Sequence, residues 1–209
     1  MPKITSFEKN FDLYEAWFEN NQYVYKSELK AVKEFIPQSG EGIEIGIGTG
    51  RFAIPFNIKQ GIEPSKEMAK IANEKGIEII SGVAENLPID DNSFDFVLMI
   101  TTICFVDNVK KSLSEIYRIL KSTGKVIIGF VDKNTKLGEI YIKNKEKSKF
   151  YKEATFFSTD EITSYLNGTG FNNLKYNQTV FGLLNEITEE QDVKQGYGEG
   201  SFVVISGEK

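Results

Sequence analysis

The chain contains no histidine and a single cysteine, Cys104, among its 209 residues. Without imidazole, the commonest general base and the commonest transition-metal side chain are both missing, so any chemistry must run on other groups. One cysteine rules out an internal disulfide and suits a reducing compartment, so a cytoplasmic location is expected. Long apolar runs are also missing. The longest, Phe96 to Val106, contains two threonines and falls short of the ~20 residues that cross a bilayer. The opening MPKITSFEKNF has neither the apolar core nor the cleavage pattern of a secretory signal. The Asn-X-Thr triplets at Asn167 and Asn177 therefore read as chance. Positive charge is in deficit, with a net charge of −5, which argues against a broad nucleic-acid footprint. The densest basic stretch, Lys143 to Lys152, is interleaved with Glu146 and Glu153 and reads as a solvated face. Neither a nucleic acid nor a membrane is an expected partner.

What is present is globular: 40% apolar and 26% charged residues. Phe11, Tyr14, Trp17 and Phe18, then Leu29, Val32, Phe35 and Ile36, recur at helical spacing and predict a helical cap over residues 1–38. Beyond it, strands are expected at 42–47, 59–63, 77–81, 94–101 and 125–131. Helices are expected from the N-cap Ser65, over 109–120, and from Ser158 to Asn167. Residues 136–157 read as an insertion, helical over 136–151. Two last strands are expected at 173–180 and 202–206. The strand 94–101 is apolar on both faces apart from Asp95 and belongs inside a parallel sheet. Strands alternating with helices predict an α/β fold, a twisted and mostly parallel sheet covered on both faces, in one domain over 1–209.

One stretch is unusually bare. Glu44-Ile45-Gly46-Ile47-Gly48-Thr49-Gly50-Arg51 follows the first strand. Glycine costs backbone entropy, so three in five positions call for a tight turn or a ligand against the backbone. In an open parallel sheet, ligands bind outside the carboxyl ends of the strands. Glu63 ends the neighbouring second strand, where a carboxylate can accept both hydroxyls of a ribose. Bare backbone and one carboxylate together read as a nucleoside site. The spacing is G-x-G-x-G rather than the G-x-G-x-x-G of dinucleotide turns.

These residues resemble the first motif of class I S-adenosylmethionine-dependent methyltransferases, of the small-molecule, type 11-like kind. Gly61-Ile62-Glu63-Pro64-Ser65 resembles the second motif. Gly82-Val83-Ala84-Glu85-Asn86-Leu87-Pro88 with Ser93-Phe94-Asp95-Phe96-Val97 resembles the third, and Arg118-Ile119-Leu120-Lys121 with Gly124 the stretch before the fifth strand. The resemblance implies a Rossmann-like seven-stranded sheet with an antiparallel C-terminal strand. It implies S-adenosylmethionine as cofactor and S-adenosylhomocysteine as product. The backbone around Gly46 and Gly48 would lie along the methionine moiety, with Glu44 near its amino group and Gly50 in the same cofactor-binding turn. Glu63 would hold the ribose, Pro64 the adenine face, the Ala84 amide an adenine nitrogen, and Thr101 the methionine side. An acid is usual before the alanine. Here Val83 stands there, and Glu85 or water is expected to replace it.

Methyl transfer from a sulfonium needs alignment and exclusion of water more than a base, so a chain without histidine can perform it. No catalytic residue is assigned. Acceptor-pocket candidates are Tyr14, Trp17 and Phe105, with Tyr141 or Tyr151 from the insertion; aromatic walls also suit a sulfonium or ammonium cation. For Arg51, anion binding and an ordinary ion pair both stand. Thr101-Thr102-Ile103-Cys104 lacks the Asp/Asn-Pro-Pro-aromatic pattern of amino-group methylation of bases, the Pro-Cys nucleophile of cytosine methylation, and the acid of metal-dependent catechol methylation. Arsenic methylation wants several thiols. A small organic acceptor remains, methylated on nitrogen or oxygen without a metal. Two alternatives keep part of the pattern: a non-catalytic protein that binds S-adenosylmethionine or S-adenosylhomocysteine, and a nicotinamide-dependent oxidoreductase.

Overall fold

The computed structural model of the chain describes residues 5–209; residues 1–4 of the expected cap lie outside them. In chain order the elements are α1 (Thr5–Lys9), α2 (Phe11–Asn20), α3 (Gln22–Lys33), β1 (Gly42–Ile45), β2 (Gln60–Ile62), α4 (Lys66–Glu74), β3 (Glu78–Ile80), β4 (Phe94–Ile100), α5 (Val109–Ile119), β5 (Leu120–Val131), α6 (Lys136–Asn144), α7 (Thr159–Thr169), β6 (Asn172–Thr179), β7 (Lys194–Gln195) and β8 (Phe202–Glu208). Short 3-10 turns occupy 54–56, 145–147, 151–153 and 184–186. The strands form one sheet in the order β3-β2-β1-β4-β5-β8-β6-β7. The first five are parallel, and β8 runs antiparallel to both β5 and β6. Two-residue β7 extends the expected seven strands to eight.

Alternation along β4 divides the core. Val97 and Met99 face one side with Ile43, Ile45, Ile128, Val203 and Ile205, where Leu113 and Ile116 of α5 and Ile162 and Leu166 of α7 cover them. Phe96, Leu98 and Ile100 face the other side with Ile127, Phe202 and Val204, under Phe18 of α2 and Val24, Ala31 and Val32 of α3. A central strand covered on both faces must be apolar throughout, as β4 is.

Local signals place the helix starts. Ser65 caps α4 by accepting from the Met68 amide at 3.4 Å. Ser158 and Glu161 form a reciprocal box at α7, and Gly170, at φ +111°, ends that helix. Two boundaries differ most from expectation. Helix α6 ends at Asn144 rather than running on to Tyr151, and the chain continues in the 3-10 turns at 145–147 and 151–153. The fifth strand begins at Leu120 rather than Lys125, because Leu120 pairs with Phe94 before an irregularity that carries the chain to the Phe96–Lys125 pair. Strand order reverses between β1 and β4, so the crevice at their carboxyl ends opens beside the glycine turn.

Candidate active site

The glycine turn is left-handed at all three glycines, with φ of +70° at Gly46, +57° at Gly48 and +82° at Gly50. The Gly46 and Ile47 amides both donate to the Ile62 carbonyl, at 2.8 and 3.1 Å, which ties the turn to the end of β2. A Cβ on Gly46 would lie 2.3 Å from the Thr102 side chain, and one on Gly50 2.4 Å from Ile77 Cδ1. At Gly48 a Cβ would meet the Tyr14 hydroxyl at 3.1 Å and Met68 Sδ at 3.6 Å. Gly46 and Gly50 are thus needed for packing, and Gly48 keeps bare a surface that Tyr14 and Met68 share.

Glu63 is buried at the end of β2. Its Oε2 accepts from the Gly48 amide and its Oε1 from the Ser65 amide, both at 2.8 Å. Burial raises its pKa to about 6, against the stabilising pull of the Ser65 and Gly48 amides. Glu44, on β1, is 2% exposed, and its Oε2 has no partner among the described residues. Burial raises its carboxyl well above the usual range; the Ala53 amide opposes this, and the Glu63 charge adds to it.

A cavity of about 1530 Å³, counting its open mouth, runs along the carboxyl ends of β1, β2 and β4. Of the sequence-predicted residues, Glu44, Gly46, Gly48, Glu63, Pro64, Ala84, Glu85 and Thr101 line it, and so do Tyr14, Trp17 and Phe105. Gly50 is not among the lining residues. Thr101 sits at φ +53°, an uncommon conformation for a threonine and one often stored at functional sites. Glu85 uses its Oε1 to accept from the Asp107 and Asn108 amides, at 2.6 and 3.1 Å, and so anchors the start of α5. The lining also holds a group of rings, Phe7, Phe105, Tyr141, Phe150 and Tyr151, which form an aromatic chamber. Phe105 stacks on Tyr151 at 5.9 Å and Tyr151 on Tyr141 at 5.0 Å, while Phe7 meets Phe105 edge-on at 4.9 Å.

The open question about Arg51 resolves as an ion pair. Its Nη2 lies 2.5 Å from Glu15 Oε2 on α2, and its guanidinium sits 5.1 Å from the Phe18 ring centroid. Lys75 Nζ approaches the same carboxylate oxygen at 3.7 Å, and Thr49 hydrogen-bonds the other. The Tyr25 hydroxyl of α3 donates to the Arg51 carbonyl. Two N-terminal helices are therefore clamped onto the glycine turn. Cys104 is buried, and its thiol donates to the Thr101 carbonyl at 3.0 Å. Asp132 holds the base of the 136–157 segment, accepting from Asn134 N at 2.8 Å, Thr159 N at 2.9 Å and Thr159 Oγ1 at 2.6 Å.

Several lining residues had no sequence signal. Thr102, whose hydroxyl lies 3.1 Å from both the Gly46 and Ile100 carbonyls, bridges the ends of β1 and β4. Phe7 and Phe150 close the chamber. Glu28 of α3 reaches the cavity from a helix whose other inward residues are core. Only the helical period, which puts Glu28 on the same side as Val24, Ala31 and Val32, could have pointed to it.

Comparison with known proteins gives the family. Residues 43–128 match the model of the methyltransferase domain family. A crystal structure of a SAM-dependent methyltransferase from Thermotoga maritima, a possible histamine N-methyltransferase, superposes with a TM-score of 0.96 at 52% identity, covering 99% of each chain. This chain belongs to the S-adenosylmethionine-dependent methyltransferases. The methyltransferase is also 49% identical to an uncharacterised protein of Methanocaldococcus jannaschii, over 97% of this chain and 98% of the relative. It is 32% identical to the ubiquinone/menaquinone biosynthesis C-methyltransferase UbiE of Campylobacter jejuni, over 61% of this chain and 63% of that one. It is an enzyme whose cofactor is S-adenosylmethionine, so the sensor and nicotinamide alternatives give way. No helix among the described residues is long and apolar enough to cross a membrane.

Proposed function

We propose that this methyltransferase transfers the methyl group to a nitrogen or oxygen of a small organic molecule, without a metal, by in-line displacement. The observation that carries this reading is one cavity lined both by the glycine turn with Glu63 and by the rings of the aromatic chamber. That enclosure suits an acceptor that is itself small. The N-methyltransferase description of the Thermotoga relative supports nitrogen. The C-methyltransferase name of UbiE makes carbon the competing outcome.

The residues present fit the cofactor. Bound S-adenosylmethionine would supply a methyl group already activated by sulfonium charge. The unpartnered Glu44 Oε2 is a ready acceptor for an ammonium group. Each Glu63 oxygen spends one lone pair on a backbone amide and keeps another for a ribose hydroxyl. Gly48 and the neighbouring Tyr14 hydroxyl offer bare backbone and a donor to the methionine end, and Pro64, Ala84 and Val83 an apolar wall to the adenine. Glu85, engaged with Asp107 and Asn108, would contribute here by holding the loop beside the adenine.

Thr102 links the two groups of lining residues, its hydroxyl donating to the Gly46 carbonyl and its carbonyl accepting from the Phe105 amide, so Thr101 and Thr102 would set the line between donor and acceptor. Positioning of this kind supplies ~7–11 kcal/mol in well-oriented reactions. The N-terminal helices and the 136–157 segment would act as the cover that excludes water, within one domain over the whole chain. The clamp of Glu15 on Arg51 and the triple acceptance by Asp132 hold the two sides of that cover. A cytoplasmic setting fits the single buried cysteine.

The test is a screen of small amines, alcohols and phenols for acceptor-dependent release of S-adenosylhomocysteine, alongside calorimetry with Glu63→Ala. Turnover with amines or alcohols, and loss of S-adenosylhomocysteine affinity in the variant, are expected. Turnover only on a carbon acceptor, or on a macromolecule, would overturn the reading.

A further inference from the structure

Among the described residues, no lysine or arginine lines the cavity, while Glu28, Glu44 and Glu63 do, all buried. Two of these carboxylates stand at the cofactor end. Glu28 comes from α3, with Trp17, Phe18 and Tyr141 also in the walls. It is 5% exposed, and no hydrogen bond or ion pair reaches its carboxylate among the described residues. Unlike Glu44 Oε2, its oxygens are not sealed off; they open onto the cavity, where the residue as a whole is desolvated and has no protein partner among the described residues. A partner that arrives with the ligand accounts for it.

We infer that Glu28 is the acceptor-binding carboxylate, that it takes a small primary or secondary amine carrying an apolar or aromatic group, and that it removes the amine's proton before methyl transfer. The inference rests on the small-molecule reading above. The ring chamber of Phe105, Tyr151 and Tyr141 supplies the apolar fit and faces that attract an ammonium ion. An anionic acceptor would meet three buried carboxylates and no cation.

The proton balance is complete. Burial pushes the Glu28 carboxyl up to about 8, so near neutral pH it stands largely protonated when the chamber is empty. The groups that sense its charge are Tyr25 on α3, Tyr141 on α6 and Tyr151 in the 151–153 turn; Glu44 and Glu63 share the cavity. An ammonium ion entering beside a neutral Glu28 displaces one proton to solvent, and the pair then holds a single shared proton. With that proton on Glu28, the nitrogen lone pair is free. It forms the new N–C bond as the S–C bond breaks, and the electron pair of that bond stays on sulfur. The products are a methylated ammonium ion and a neutral thioether.

The experiment is calorimetry at about pH 7 in buffers of different ionisation enthalpy, which counts protons exchanged on binding. Phenethylamine, phenethyl alcohol and hydrocinnamate are titrated into the protein saturated with S-adenosylhomocysteine, for wild type and Glu28→Gln. Phenethylamine is expected to bind best and to release close to one proton from wild type. Glu28→Gln should bind it about tenfold more weakly or worse, with no proton release, and leave the alcohol unchanged. Should Glu28→Gln fail to bind S-adenosylhomocysteine, Glu28→Asp replaces it and should retain proton release. Equal amine affinity in wild type and variant, or equal losses for amine and alcohol, would remove Glu28 from this role and leave the small-molecule reading standing. S-adenosylhomocysteine binding with none of the three probes bound would overturn the Glu28 inference, while the small-molecule reading stands or falls by the acceptor screen.

Discussion

Changing Glu28 to glutamine should also alter the pH dependence of folding, in a way that the tertiary position of this residue dictates. The carboxyl has an ordinary value of 4.5 and rises to about 8 in the fold, with burial as the cause. Its folded pKa is raised, so the folded state holds the proton more tightly than the unfolded chain. The stability this confers is fully present below pH 4.5 and is lost as pH rises through 8. Across that window the wild type should lose about 1.4 kcal/mol per pH unit from this one group, or about 5 kcal/mol over the whole interval. Glutamine does not titrate, so the variant lacks this slope. Glu44 and Glu63 titrate in both proteins and cancel in the difference. Urea unfolding of the ligand-free proteins at several pH values between 5 and 8 measures it. The variant should gain on the wild type steadily as pH rises. Parallel stability curves would mean that Glu28 is solvated in the cavity and carries no burial cost, and the reasoning would fail.

Other outcomes follow from the same geometry. If Glu63 holds the ribose as proposed, S-adenosylhomocysteine affinity should fall as pH drops through about 6, because the hydroxyls would donate to the ionised carboxylate, and calorimetry across that range reads it. Gly48→Ala should weaken cofactor binding more than it lowers the melting point, since its Cβ would enter the space beside the Tyr14 hydroxyl. Gly50→Ala should do the reverse. At φ +82° and 2.4 Å from Ile77 Cδ1 it should cost about 1–2 kcal/mol of stability, read by denaturant titration, with any properly folded fraction binding normally. Glu15→Ala releases Arg51, Lys75 and Thr49 together, so hydrogen exchange of α2 should rise while exchange in β4 stays slow.

Much of the proposed cofactor end was legible in the chain because its signals are local. A glycine run after a short apolar strand, an acid at the end of the next strand and a serine cap beyond it each depend on neighbours in sequence. The fully apolar Phe94–Ile100 announced a central strand for the same reason. Residues that met across long separations were harder. Thr102 could not be seen to reach the Gly46 carbonyl, nor Glu85 the amides of Asp107 and Asn108. Arg51 kept two readings until Glu15, far from it in sequence, proved to be its partner.

The sequence by itself determined the alternating α/β order, the tight turn that glycine favours, and the acid at the end of the next strand, because backbone sterics and hydrophobic period act within a few residues. Only the tertiary structure decided which carboxylates lost their water. Glu28 and the solvent-facing glutamates of its neighbouring helices are chemically the same residue. What distinguishes Glu28 is that α3 packs over the sheet and brings it into an aromatic chamber, where desolvation, a property of the assembled surroundings, sets its charge.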